Sequence, residues 1–333
     1  MMIYQNRRVL NPAAKRSGFT LIELLVSLGV IAVLVALASS AALNAREASR
    51  SIACRANLRQ VQLAHENYFS QYRRGVPYLH HAIAVSAFLE RAELRDVGPD
   101  APVGKVGYEI WACPSDPQLS LAEGNYSYLP SLGVGLGPTR TGAARQVVTG
   151  AIRGLGRSSD ASFLSPAEYT RGLSSTITLG ERLIDPVPLG EADPSYADDR
   201  LGSWFTRELS VPERRRVGVL NRACSETSDR GRFAQDYAYR AGMRVYQVSS
   251  NGVLAISAPN GRTCYPGPQP PRNGGPGRLT RFTSTAATSY HRASINAAFA
   301  DGHVEPVSET IDLGVWRALN NAAAFAPESE ARR

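Results

Sequence analysis

Lys15-Arg-Ser-Gly-Phe-Thr-Leu-Ile-Glu-Leu-Leu-Val-Ser-Leu-Gly-Val-Ile-Ala-Val-Leu-Val-Ala-Leu-Ala38 decides how the rest of this chain is read. A leader carrying Arg7, Arg8, Lys15 and Arg16, with no acidic residue, ends at Gly18. From Phe19 to Leu43 run 25 residues with a single charge, Glu23. At about 1.5 Å per residue, a helix of that length crosses a hydrocarbon core about 30 Å thick. The basic leader predicts a cytoplasmic start. Arg46 and Arg50 on the other flank blunt the charge asymmetry, so orientation rests on more than charge. A carboxylate within an apolar helix costs about 2.5–3.5 kcal/mol on insertion scales, so Glu23 needs a partner.

Arg16-Ser-Gly-Phe-Thr-Leu-Ile-Glu23 resembles the cleavage and methylation motif of type IV prepilins. The resemblance implies that a prepilin peptidase cuts between Gly18 and Phe19 and methylates the new N-terminus. Glu23 of one subunit would then pair with the Phe19 amino group of a neighbour and set the axial register of otherwise featureless helices. The competing reading is a secretory signal peptide, with Ala36-Leu37-Ala38 before Ser39 as its cleavage site. The glutamate inside the apolar run and the length of that run argue against it.

The helix is predicted to continue past the apolar run, because Ala41 to Tyr72 contains neither Pro nor Gly. Cys54, Leu58, Val61, His65, Tyr68 and Tyr72 repeat at helical spacing and define one face. Arg55, Arg59, Glu66 and Arg73 lie on another side, and Gly75 and Pro77 end the helix. On this stripe His65 reads as a buried side chain rather than a ligand. A second amphipathic helix is predicted within His80–Leu94, on Val85, Phe88, Leu89 and Ala92. Trp111-Ala-Cys-Pro-Ser-Asp-Pro117 reads as a strand end entering a turn. Asn125–Leu129 and Ser175–Glu181 read as short strands, and the Gly/Pro-rich stretches 131–160 and 263–279 as loops.

Ile295-Asn-Ala-Ala-Phe-Ala-Asp-Gly-His-Val-Glu-Pro-Val307 is a hairpin signal. A two-residue type I′ turn at Asp301-Gly302 would pair Phe299 with Val304 and Ala297 with Pro306. His291-x9-Asp301-Gly302 resembles the C-terminal motif of a bacterial prepilin-like family, domain of unknown function 1559. Cys54–Gln60, Cys113-Pro-Ser-Asp116, Leu179-Gly-Glu181 and Ile311–Leu319 resemble further segments of that family, in order. The likeness runs from Gly18 to about Asn320 and is patchy between Leu183 and Asn273. It implies a pilin-like fold and no established molecular activity.

Cysteines stand at 54, 113, 224 and 264, none in a C-x-x-C pair, and an even number permits two disulfides in three connectivities. Were Cys54 and Cys113 to bond, the long helix would be stapled to the head, for about 3–4 kcal/mol. Cys224 and Cys264 would then close the patchy segment. The alternative is four buried thiols.

The formal charge of +8 does not point to nucleic acid, because 37 basic residues less the leader's four leave 33 against 29 acidic. The rest are scattered apart from Arg214–Arg216. Gly133-x-Gly-x-Gly137 lacks a following Gly-Lys-Ser/Thr, so no phosphate-binding loop is read there. No Gly-x-Ser-x-Gly occurs, and Glu181 has no second acid at meaningful spacing. In a hairpin the side chains of His291, Asp301 and His303 need not converge on a metal. No catalytic residue, cofactor or metal is therefore assigned. His291, Asp301 and Gly302 are read as structural.

The expected protein is α+β: a long N-terminal helix, transmembrane in its first half, packed on a β-rich head. Expected boundaries are a leader at 1–18, a transmembrane part at 19–43 and a helix continuation at 44–75. A head follows at 76–320, with a variable insertion at about 183–273 and a tail at 321–333. The function expected is a pilin-like or pseudopilin subunit of a type II secretion or type IV pilus system. It would sit in the inner membrane with an extracytoplasmic head, or in a surface filament. Expected partners are prepilin peptidase, other pilin-like subunits, the assembly machinery and the membrane. An anchored binding module for polysaccharide or protein is the alternative, with Tyr196, Trp204, Tyr237 and Tyr239 able to stack on sugars. An envelope hydrolase is the third and weakest reading.

Overall fold

The computed structural model describes residues 20–78, 81–89, 109–116, 127–134, 149–153, 161–183, 203–207, 209, 216–228, 230–231, 252–266 and 286–322. The chain divides into two compact units, Met1–Ala48 and Ser49–Arg333. One helix, α1, spans Leu21–Tyr72 and belongs to both.

In the first unit α1 is apolar on every side. Its most hydrophobic 18-residue window has a mean hydropathy of 2.7 and buries none of its residues. Leu21 is 80% exposed and Leu37 64%. The helix begins with a reciprocal cap. The Thr20 backbone N–H and hydroxyl both donate to Glu23 Oε2 at 2.9 Å, and the Glu23 N–H donates to Thr20 Oγ1 at 3.3 Å. Two donors without helical partners are thereby satisfied.

In the second unit the same helix is amphipathic. Cys54, Leu58, Val61, His65 and Tyr68 are buried, whereas Tyr72 at the end of the stripe is 48% exposed. The helix ends where Arg73 turns to φ 53°. Gly75 lies so close to the backbone oxygen of Phe163 that no Cβ fits there. This approach lets Val76–Tyr78 pair with Ala161–Phe163.

The head is built on a five-stranded sheet of β1 (Tyr128–Gly133), β4 (Ile177–Glu181), β7 (Val253–Leu254), β9 (Ser294–Phe299) and β10 (Val304–Ser308). Their order across the sheet is β10-β9-β4-β1-β7. All neighbours are antiparallel except β1 and β7, which are parallel. On one face Ala298, Leu179 and Tyr128 join the cluster of Leu58 and Val61 from α1. The Thr178 hydroxyl reaches Gln62 of α1 at 2.7 Å. On the other face Leu129, Ile177, Ile295, Ala297, Phe299 and Val307 pack with Trp316. Trp316 belongs to a short helix, Leu313–Leu319, whose first turn is capped by Asp312 Oδ1 accepting from the Val315 N–H at 3.0 Å. The sheet thus has helices on both faces, the arrangement by which a two-faced apolar sheet buries itself. The fold is α+β, a long N-terminal helix followed by a sheet-containing head.

Several local expectations are corrected. The hairpin is not the two-residue type I′ form. Its register pairs Val304 with Ala298 and Val307 with Ile295. The Gly302 N–H donates to Phe299 O, and the Phe299 N–H to His303 O, which closes a three-residue loop with Gly302 at φ 90°. A one-residue slip turns every side chain over. Val304 and Pro306 therefore leave the face of Ile295 and Phe299, and Val307 takes their place there. The 131–160 stretch is not all loop, because β1 runs to Gly133 and β2 (Ile152–Arg153) pairs with β3 (Ser162–Phe163). Residues 263–279 likewise begin with a strand, β8 (Cys264–Pro266). Glu109–Trp111 is a turn of 3-10 helix, not a strand end. The second helix, α2, is short, His81–Ser86, with Ala82 and Val85 buried. Its predicted extension to Leu94 lies outside the described residues beyond Leu89.

The patchy segment supplies structure of its own. β5 (Ser203–Thr206) pairs with β6 (Arg230–Gly231) and with β8, beside a helix, α3, at Val217–Glu226. It also lends β7 to the main sheet, so 252–256 is integral to the head rather than an appendage. The Leu313–Leu319 helix is α4.

Candidate functional site

The two motifs that mark this chain lie in different units. In the first, Glu23 caps its own helix through Thr20, while Gly18 and Phe19 lie outside the described residues. The Thr-x-x-Glu spacing is a capping box visible in the sequence, and it gives the carboxylate a partner that carries no charge.

In the head, residues far apart in sequence meet in a buried constellation. Cys54 of α1 forms a disulfide with Cys113, Cα to Cα 5.0 Å. Cys224 of α3 forms another with Cys264 of β8, Cα to Cα 5.7 Å. Beside the first lies Tyr128, whose hydroxyl donates to Cys54 O at 3.1 Å. Burial, and then the nearby Glu181 carboxylate, raise the Tyr128 phenol far above its ordinary range. Cys113 is held by its N–H donating to Ser127 Oγ at 3.0 Å, and the Ser127 N–H donates to Trp111 O at 2.8 Å.

Glu181 ends β4 opposite Tyr128 and is only 1% exposed. Its two oxygens accept from the Asn296 backbone N–H at 2.8 Å and from Asn296 Nδ2 at 2.9 Å. The Nε2 atom of His291 lies 3.4 Å from Glu181 Oε1 and 3.4 Å from Cys113 Sγ. The Thr288 N–H donates to Glu181 O, and the His291 N–H to Ser289 Oγ. Cys54, Cys113, Glu181 and His291 thus bring one donor atom each to within 4.8 Å of one another, all buried. Every one of these residue types can ligate a transition metal; here two of the sulfurs are bonded to each other.

The sequence motif His291-x9-Asp301-Gly302 is therefore two features. His291 precedes β9 and serves the buried constellation. Asp301 and Gly302 sit in the hairpin loop beyond the strand. There Asp301 Oδ1 accepts from the His303 N–H at 3.2 Å and contacts His303 Nδ1 at 2.5 Å. The His303 ring stacks on Phe299 at 4.1 Å. The hairpin carries Asp301 and His303 to its tip and leaves His291 at its base. The pairing of His291 with Glu181 and with the disulfide escaped sequence reasoning, since the residues involved are spread from 54 to 291. The shared family resemblance of Leu-Gly-Glu181, Cys113 and His291 was the only signal available.

A second buried imidazole, His65 on α1, lies edge-on to Phe163 at 4.4 Å and 6.0 Å from His81. Neither ring nitrogen of His65 has a hydrogen-bond partner among the described residues. Burial first, and the neighbouring His81 second, hold it well below the usual histidine range. Of the aromatic residues considered for sugar stacking, Tyr196, Tyr237 and Tyr239 lie outside the described residues, and Trp204 is in β5.

Residues 13–39 match the prokaryotic N-terminal methylation motif. Residues 84–314 match the family described as protein of unknown function (DUF1559). No curated protein and no solved structure matches the chain.

Proposed function

The chain is a prepilin-like member of the DUF1559 family, and from that premise we propose that it is a membrane-anchored structural subunit of a pilin or pseudopilin assembly. The observation that carries this reading is the coincidence of three features over one segment. The methylation motif spans 13–39, the helix that starts beneath it is long and apolar enough to cross a membrane, and its side chains are exposed all round. An all-round apolar helix needs either lipid or identical neighbours. A pilin precursor requires both, first in the bilayer and then in a filament.

In this reading prepilin peptidase cuts between Gly18 and Phe19 and methylates Phe19. The leader stays cytoplasmic and the head lies outside the inner membrane. Thr20 holds Glu23 until the new amino terminus of a neighbouring subunit competes for the carboxylate. The head acts as a structural body rather than a hydrolase. Glu181 and His291, the groups that hydrolysis would need, are buried among Asn296, Tyr128 and a disulfide.

The test is the mass of the N-terminal peptide of the mature protein from its native envelope. N-methyl-Phe19 is expected, and Gly18→Leu should retain the leader. A mature chain beginning at Ser39 would refute the proposal.

A further inference from the structure

A disulfide needs neither an imidazole nor a carboxylate beside it, and apolar side chains would seal it at lower desolvation cost. Yet His291 Nε2 lies 3.4 Å from both Cys113 Sγ and Glu181 Oε1. Zinc bonds of about 2.3 Å to sulfur and about 2.0–2.2 Å to nitrogen and oxygen, arranged tetrahedrally, place donors about 3.3–3.8 Å apart. Two edges of that tetrahedron are therefore already set. The carboxylate is also oriented as a ligand requires, since Asn296 grips it through both its backbone and its amide. All four donors lie within 4.8 Å of one another, so side-chain rotations at Cys54 and Cys113 must part the two sulfurs to about 3.7 Å and draw the remaining pairs to tetrahedral spacing.

We propose that, when Cys54 and Cys113 are thiols, Cys54, Cys113, His291 and Glu181 form a four-coordinate zinc site. The staple between α1 and the sheet then exists in two chemical forms, a disulfide in the oxidised chain and a metal–thiolate in the reduced one. Reduction by a phosphine breaks the S–S bond, oxidises the phosphine to its oxide with oxygen from water, and leaves two thiols. Metal binding releases both thiol protons. In the reverse direction an external disulfide accepts two electrons from the thiolates and two protons from water and becomes two thiols, the Cys54–Cys113 bond forms, and the ion leaves. Because the site is buried, the reduced chain takes up metal as it folds. The charge left by two thiolates, one carboxylate and a divalent ion is spread over the Asn296 donors. This inference does not depend on how the N-terminus is processed.

The experiment uses the full chain, reduced with a phosphine, folded in detergent with Zn²⁺ or Co²⁺, and freed of excess metal. About one zinc per chain is expected by elemental analysis, and the cobalt form should show thiolate charge-transfer and tetrahedral visible bands. The Cys224→Ser/Cys264→Ser double variant should keep both. Cys54→Ser/Cys113→Ser should lose them. His291→Gln and Glu181→Gln, which keep the thiols, should shift the visible bands and weaken binding by about tenfold or more. Metal content no higher than in Cys54→Ser/Cys113→Ser overturns the proposal, as do unchanged spectra and affinity in both glutamine variants. Should the variants fail to fold, the wild-type cobalt spectrum decides, and absence of thiolate charge transfer overturns it.

Discussion

The two units use one secondary structure for opposite purposes. In the first, α1 presents Leu, Val and Ile around its whole circumference, and the exposed side chains include Leu24, Leu28, Ile31 and Leu34, each more than half accessible. In the second, only one stripe is apolar, and Cys54, Leu58 and Val61 are each 0% exposed. The backbone is helical in both. What differs is the period of hydrophobicity, continuous in one and i, i+4, i+7 in the other. A continuous apolar surface defers its burial to lipid or neighbouring copies. A stripe completes its burial within the chain.

That contrast predicts the largest effect. Leu58→Ala removes a fully buried side chain under the sheet and should cost about 2–5 kcal/mol. Leu34→Ala should leave head stability within about 0.5 kcal/mol. Denaturant unfolding of the full chain in micelles reports both, because Trp111 and Trp316 are buried and their emission shifts on exposure. Equal destabilisation by the two substitutions would break the comparison.

Glu181→Ala should follow closely, at about 3 kcal/mol, since it strands the Asn296 N–H and Nδ2 donors and removes the carboxylate facing His291. Glu181→Gln keeps the shape and should cost less. The same denaturant assay separates them. A loss under 1 kcal/mol for alanine would mean that water replaces the carboxylate and that the constellation is less closed than its burial implies.

The sequence disclosed the apolar run and the stripe because both are local patterns, readable within two or three turns of helix. The sequence left the disulfides among three connectivities, with the alternative of free thiols, and the fold joins 54 to 113 and 224 to 264. The hairpin was visible, but its register was not. Asp-Gly suits either a two-residue turn or the last two positions of a three-residue loop. The outcome is decided by which side chains of β10 meet each cluster, Val304 on the side of α1 and Val307 on the side of Trp316, and that is tertiary. The Glu181–His291 contact was illegible for the same reason: it joins the end of β4 to the turn before β9, 110 positions away. β7 escaped notice because two residues in a segment that looks like an insertion carry no period.

His65 makes the stripe sensitive to acid. Its folded value is depressed, so the unfolded chain binds the extra proton first. Stability is therefore complete above the ordinary value of about 6.5 and falls as pH drops below it, by up to about 1.4 kcal/mol per pH unit until the folded value is reached. His65→Leu should flatten the stability profile below pH 6.5 when followed by denaturant midpoint against pH. An unchanged slope would assign the acid sensitivity to other groups and remove His65 from the argument.

A modest effect is expected at the hairpin tip. Gly302 has φ 90°, where an L side chain is strained, and Gly302→Ala should cost about 1–2 kcal/mol from backbone strain alone. A Cβ there would also come 2.8 Å from Glu66 Oε1, but that atom ends a flexible side chain and can give way. Burial raises the Glu66 carboxyl, and nearby Asp301 adds to it, while Gln62 and Arg59 oppose the shift. Displacing Glu66 into water should relieve part of the alanine's cost. Gly302→Ala in a Glu66→Ala background should therefore still cost about 1 kcal/mol. If the cost vanishes there, it arises from the contact with Glu66 of α1 rather than from backbone conformation.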